Sequence, residues 1–248
     1  MFSGISLTLN SGRPYTTNLL LALLALDLCI IGAYIGFGFN ALVMTGEDIP
    51  PLWNLAEEFS AAELLGYVKW LALAICLVWA YIRCGENIFL SFGGVFILIL
   101  LDDSLQLHER GGALLVQTFE LPSIFGVRGQ DIGELGVWAM LGGLALGLLA
   151  WGYNSSSSAT RPFAYYFLAV LTVLVVAGIG LDLLNAHEMF RRDGLAMNII
   201  AGLVTIAEDG TELIVASFGT VGAVAAVFWA KSYYRLQFGG SFETRPYR

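Results

Sequence analysis

The only two histidines in this sequence occupy the same slot of one repeated motif. The first copy reads Asp103-Ser-Leu-Gln106-Leu-His108-Glu109, and the second, 79 residues on, reads Asp182-Leu-Leu-Asn185-Ala-His187-Glu188. An α-helix turns 100° per residue, so the Asp, amide and Glu positions step by about 60° along one face and the His lies about 100° from its Glu. One helix end can therefore offer a nitrogen and an oxygen ligand to the same pocket. Imidazole with carboxylate suits Fe, Mn or Zn better than copper. No thiolate competes, because Cys29, Cys76 and Cys84 form no CxxC pair.

Three glutamates extend this set. Glu63-Leu64, Glu134-Leu135 and Glu212-Leu213 each open an apolar stretch with the same acid-Leu pair, and Glu208 stands one turn before the last. The expected metal ligands are His108, Glu109, His187, Glu188, Glu63, Glu134, Glu208 and Glu212, with Asp103 and Asp182 as supporting partners or further ligands. Twofold repetition points to two metals sharing bridging glutamates, as in four-helix carboxylate sites, although adjacent His and Glu differ from the E-x-x-H spacing of those proteins. A bound metal at an open site could activate water or dioxygen. The glutamates have a structural alternative. Ser60-x-x-Glu63, Asp131-x-x-Glu134 and Asp209-x-x-Glu212 all fit the capping box, in which the glutamate reaches back to the N-cap amide. Asp102 reads as solvated beside Asp103.

The elements that must position these groups are membrane helices. The 248-residue chain is 57% hydrophobic and 13% charged, with a mean hydropathy of +0.74; soluble domains are about 45–50% apolar and about 25% charged. A water-soluble globule is excluded on that ground. The net charge of −8 and the lack of a basic stripe exclude a nucleic-acid binder. Six stretches reach the roughly 20 apolar residues that crossing hydrocarbon takes: approximately 19–44, 61–82, 88–107, 132–151, 163–185 and 211–233. The fold class is all-α, a single polytopic domain built on an internally duplicated helical hairpin, one glutamate helix with one D…HE helix, and a third glutamate helix after them.

Six spans leave both termini on one side. Arg13, Arg83, Arg161, Lys231, Arg235, Arg245 and Arg248 fall on that side and Arg110, Arg128, Arg191 and Arg192 on the other, which places both termini on the inner, cytoplasmic side. On this assignment 17 of the 20 acids gather on the outer side against those four arginines, a field that concentrates cations. The segments 51–59 and 113–121 read as interfacial helices, and the apolar run 195–207 as lying in or on the membrane ahead of the last span. Gly143/Gly147 and Gly219/Ala223 are small-xxx-small pairs of the kind that bring helices together. Asp27 and Lys69 are intramembrane charges and hence functional candidates by default; Lys69 is either a counter-ion for the acid cluster or a partner for Asp27.

The acidic-Pro-aromatic segment 47–53, the D…HE ending of the third span and Glu208-Asp209-x-x-Glu212 resemble a family of uncharacterised bacterial multi-pass inner-membrane proteins with D-E…H-E and E-E-x-x-E signatures. Here Asp102-Asp103 replaces the first acid pair and Asp209 the second glutamate. The resemblance covers roughly residues 40–220 and implies the architecture and the cluster without a reaction. Alkaline ceramidase-like hydrolases use three histidines with a serine and an aspartate, a site that two histidines cannot fill. Three function classes stand: a metal-dependent membrane oxidoreductase or hydrolase; a non-catalytic subunit or sensor whose cluster is a structural cation site; and a proton- or cation-coupled transporter. The expected partners are the lipid bilayer and a membrane-protein partner, with no nucleic acid.

Overall fold

Within a bilayer every backbone polar group must be satisfied inside its own segment, so apolar stretches of this length fold as helices. The computed structural model describes residues 3–46, 48–124, 127–186 and 195–238, and seven α-helices account for most of them. They are α1 (Ser3–Phe39), α2 (Ala61–Cys84), α3 (Asn87–Leu105), α4 (Leu107–Phe119), α5 (Gly129–Asn154), α6 (Arg161–Ala186) and α7 (Leu195–Phe238). Among the described residues, six helical segments are long and apolar enough to cross a membrane: Pro14–Met44, Ala61–Cys84, Asn87–Leu105, Gly129–Asn154, Ser158–Leu181 and Met197–Tyr233. They mark a multi-pass membrane protein.

The long α7 is the hub and packs against α1, α2 and α6; α2 also packs on α3, and α5 on both α3 and α4. Small residues make this possible. Ala216, Ala223, Ala226 and Ala230 are fully buried on α7, and Leu73 Cδ1 lies 2.6 Å from where a Cβ on Gly219 would stand. The space between helices is filled by Leu73, Leu77, Phe89, Phe92, Phe96 and Phe167, all nearly inaccessible, with Trp70 stacked on Phe96 at 5.6 Å. Gly143 and Gly147 meet nothing within 4 Å, so of the two expected small-residue contacts only the one on α7 forms. Close approaches on α5 fall at its two ends instead: a Cβ on Gly133 would lie 2.5 Å from the Gly112 carbonyl oxygen of α4, and one on Gly152 would lie 2.1 Å from Ser91 Oγ of α3.

At the end of the bundle opposite the acids, the α2–α3 and α5–α6 turns clasp each other. Ser157 N donates to Glu86 Oε2 at 2.8 Å and Ile88 N to Ser156 Oγ at 2.8 Å. Although both hairpins join a glutamate helix to the helix of a motif copy, α2 lies along α3 while α5 and α6 touch little.

Three boundaries differ from expectation, each with a local cause. The third span does not run on through His108: Gln106 adopts a left-handed conformation (φ 52°) and ends α3, so Asp102 and Asp103 sit on one helix and His108 and Glu109 on the next. Asp-Asp-Ser is a poor helix interior because such side chains compete for backbone groups. Asp102 Oδ1 indeed accepts from His108 N at 3.0 Å and caps the new helix. The last span starts at Leu195 rather than near 211, so Glu208, Asp209 and Glu212 lie inside α7 and not at its opening. Gly210 is buried there against Ile31 of α1, and an unbroken helix keeps the backbone satisfied through the acidic stretch. The expected helix over 51–59 is only a 3₁₀ turn, Pro51–Trp53, which Pro51 opens at its first position and which extended Asn54 ends. The expected helix over 113–121 belongs to α4, which packs along α5.

Candidate functional site

Among the described residues, only α2 begins with a realised serine-glutamate cap. Ser60 is its N-cap, with Glu63 N 3.3 Å from Ser60 Oγ, and the Glu63 carboxylate accepts from the Phe59 amide, one residue earlier than in the usual box. Its other oxygen accepts from the Tyr67 hydroxyl one turn on. In α5 the box belongs to Arg128 and Asp131, which leaves Glu134 in the second turn accepting from Gln130 Nε2 at 2.7 Å. In α7, Asp209 and Glu212 are far from any helix start.

Glu63 also faces a cavity of about 200 Å³. Its described lining includes Glu57, Glu58, Glu63, Asp103, His108, Glu109, Asp209 and Glu212, drawn from the loop before α2 and from α2, α3, α4 and α7. Tyr67, Trp70 and Leu213 supply its less polar wall, and no lysine or arginine is among the described lining residues. Glu63 and Arg83 lie at opposite ends of α2, about 30 Å apart along the axis, which matches the thickness of a hydrocarbon core. The cavity therefore lies at one face of that core.

His108 enters at the first turn of α4. Its Nδ1 is 3.1 Å from Asp102 Oδ2, and its ring lies against Trp138 of α5 with centroids 4.7 Å apart. Burial alone would lower the basicity of this imidazole. The Asp102 carboxylate, with Glu109 and Glu134 behind it, outweighs burial and holds His108 above its ordinary value of 6.5. The Glu109 carbonyl accepts from Gln130 Nε2 at 3.0 Å, which ties α4 to α5. Glu212 packs closely on α6, where a Cβ on Gly178 would lie 2.6 Å from its Oε1.

Of the ten residues that the sequence singled out, Glu63, Asp103, His108, Glu109 and Glu212 meet at this cavity. Glu134 and Glu208 are not among its lining residues, and Asp209 takes the place expected for Glu208. On an uninterrupted α7, 208 and 209 lie about 100° apart on opposite sides of 212, and the cavity is lined on the 209 side. His187 and Glu188 lie outside the described residues, as does the Asp182 side chain. Among the described residues no group of three or more His, Cys, Asp or Glu is arranged to hold a metal ion. Asp102 is the residue that the sequence reading undervalued, since it is buried and not solvated. The run Asp-Asp-Ser was the available signal of a helix break that would turn it toward His108.

Next to the cavity, Lys69 donates to Asp27 of α1 and to the Leu213 carbonyl at 3.0 Å, and Ser217 donates to Asp27 Oδ2 at 2.6 Å. Lys69 is thus the partner of Asp27, one of its two expected roles. Below this level the bundle is closed by Leu73, Ala74, Leu77 and Ala80, each at 0% exposure.

No curated protein and no solved structure matches the chain. A family model described as a domain of unknown function matches residues 14–230.

Proposed function

The chain belongs to that family, DUF8692, and, since the family carries no assigned activity, we propose from the geometry that this member is a multi-pass membrane protein that binds a transition metal ion in the acidic cavity. The observation that carries the reading is the convergence of Glu63, Asp103, His108, Glu109, Asp209 and Glu212, scattered over 150 positions, on one cavity whose described lining has no basic residue but the imidazole. Carboxylates gathered away from water need a cation or shared protons to offset their repulsion. An oxygen-rich set with one imidazole suits Fe, Mn or Zn. The second motif, with Asp182, His187 and Glu188, supplies the remaining ligands of a dinuclear site. The cavity faces the periplasm of a bacterial inner membrane, with both termini cytoplasmic. Arg83 and Arg161 at the opposite end of the bundle support that orientation.

A closed-ended site is favoured over a conduit. The route inward from the cavity meets the ammonium of Lys69 and then an apolar core, where a cation would find neither a polar lining nor a path.

Metal content of the full-length protein, purified in mild detergent and reconstituted with Fe²⁺, Mn²⁺ or Zn²⁺, tests the proposal. Stoichiometric metal in the wild type, lost in the His108→Ala/His187→Ala double variant, is expected. A wild type that retains none of the three ions overturns the reading and leaves shared protons as the account of the cluster.

A further inference from the structure

Resting on the metal reading above, we propose that Asp102 is a positioning residue that sets His108 in the form a metal requires. In a continuous helix, positions 102 and 108 would lie about 120° apart around the axis and about 9 Å apart along it, and their side chains could not meet. The left-handed break at Gln106 folds α4 back onto Asp102, which then uses both oxygens. Oδ1 accepts the His108 amide at 3.0 Å; Oδ2 lies 3.1 Å from His108 Nδ1 and accepts the Trp138 indole N–H at 3.2 Å. The Trp138 ring against the imidazole limits its rotation.

A carboxylate at Nδ1 favours the tautomer with hydrogen on Nδ1, which leaves the lone pair on Nε2 as the donor available to the cavity that His108 lines. His108 Nδ1 is buried and makes no aligned hydrogen bond, although the carboxylate is at ion-pair distance. A small rotation of the ring on ligation would bring the pair into line. Asp103, which the sequence placed in this supporting role, lines the cavity itself. The chemistry inferred for His108 is thus that of a metal ligand through Nε2, oriented from behind by Asp102 and Trp138.

Pulsed electron paramagnetic resonance of the full chain loaded with Cu²⁺ tests this, because it reads the remote, unligated imidazole nitrogen directly. The His187→Ala background leaves His108 as the single imidazole. Asp102→Asn keeps an oxygen to cap α4 but presents an amide N–H₂ group toward Nδ1, which favours the opposite tautomer. It should shift the remote-nitrogen frequencies and weaken Cu²⁺ binding 10- to 100-fold, with partial rescue by Asp102→Glu. Trp138→Phe, which keeps a ring over His108 and removes only the indole donor, should give a smaller shift and covers the case in which Asp102→Asn fails to fold. Spectra and affinities of both variants equal to those of the His187→Ala background overturn the positioning role alone. A His187→Ala protein that binds Cu²⁺ with no imidazole nitrogen overturns His108 as a ligand, and this inference with it, while the metal reading itself is overturned by a wild type that retains none of Fe²⁺, Mn²⁺ or Zn²⁺.

Discussion

Asp27 and Lys69 form an ion pair across the interior of the bundle, at 0% and 2% exposure, with the Leu213 carbonyl and the Ser217 hydroxyl completing the set. The pair joins α1, α2 and α7 in the layer beneath the acidic cavity. Lys69→Met would leave the Asp27 carboxylate buried without its counter-ion, and removing one partner of such a pair costs about 3–5 kcal/mol. The double variant Asp27→Leu/Lys69→Met should recover most of that loss, because it buries no charge. Unfolding of both proteins in the same detergent measures the difference; equal destabilisation by the single and double variants would show that the pair is not the source.

A second prediction concerns the α4–α5 approach that carries His108. A Cβ on Gly112 would stand 2.7 Å from Glu134 Cγ and 2.8 Å from the Glu134 backbone nitrogen. The backbone nitrogen cannot move aside as a side-chain end can, so Gly112→Ala should cost roughly 1–3 kcal/mol. Gly143→Ala, where nothing lies within 4 Å, should be neutral or slightly stabilising. Thermal unfolding of the two variants should separate them clearly, and similar midpoints would contradict the packing described.

The third is a pH dependence. His108 is held above its ordinary value by Asp102, Glu109 and Glu134 against the opposing effect of burial. Its protonated form therefore contributes stability that is fully present below about pH 6.5 and is lost as the pH rises through the raised folded-state value. The stability difference between the metal-free wild type and His108→Gln should shrink as the pH rises above the ordinary imidazole value of 6.5 and through the raised folded-state value. Metal affinity should move the other way, since a ligating imidazole must first lose its proton. A stability difference that stays flat over this range would show that the imidazole is not held in its charged form.

Within α7, the cavity selects between neighbouring acids. Asp209→Asn and Glu212→Gln should each weaken metal binding by about tenfold or more, whereas Glu208→Gln should leave it within about twofold, because 209 and 212 line the cavity and 208 does not. Titration calorimetry with Mn²⁺ on the three purified variants provides the comparison, and an effect of Glu208→Gln as large as that of Asp209→Asn would refute the assignment.

Much of the fold was legible in the chain because its signal is local and repetitive. Each of the six apolar stretches expected from the sequence overlaps a helix of spanning length, with the ends of α2 and α3 placed to within a few residues. The ends that moved, in α1, α5 and α7, moved outward, because a helix in an apolar medium extends as long as its backbone groups pair within it. The site was half legible. Repetition of D…HE and of the acid-Leu pairs picked out Glu63, Asp103, His108, Glu109 and Glu212, but the same pattern also picked out Glu134, which is turned to Gln130 and lies beyond the wall of the cavity.

Asp102 shows why the rest could not be read. Two adjacent aspartates are equivalent in any local window, and a helix wheel assigns them by phase alone. The phase is reset at Gln106, where contacts with Trp138 and the glycine-lined face of α5 turn α4 back on α3, so that Asp102 meets His108 and Asp103 meets the cavity. By itself, then, the sequence determined that the chain is a bundle of membrane-spanning helices with acids at their ends, because lipid imposes helix on any long apolar segment and tolerates charge only near its edges or in pairs. Which acids share a cavity, which carboxylate stands behind the histidine and which charge answers Lys69 were decided by the tertiary structure alone, because each depends on how one helix is rotated against another.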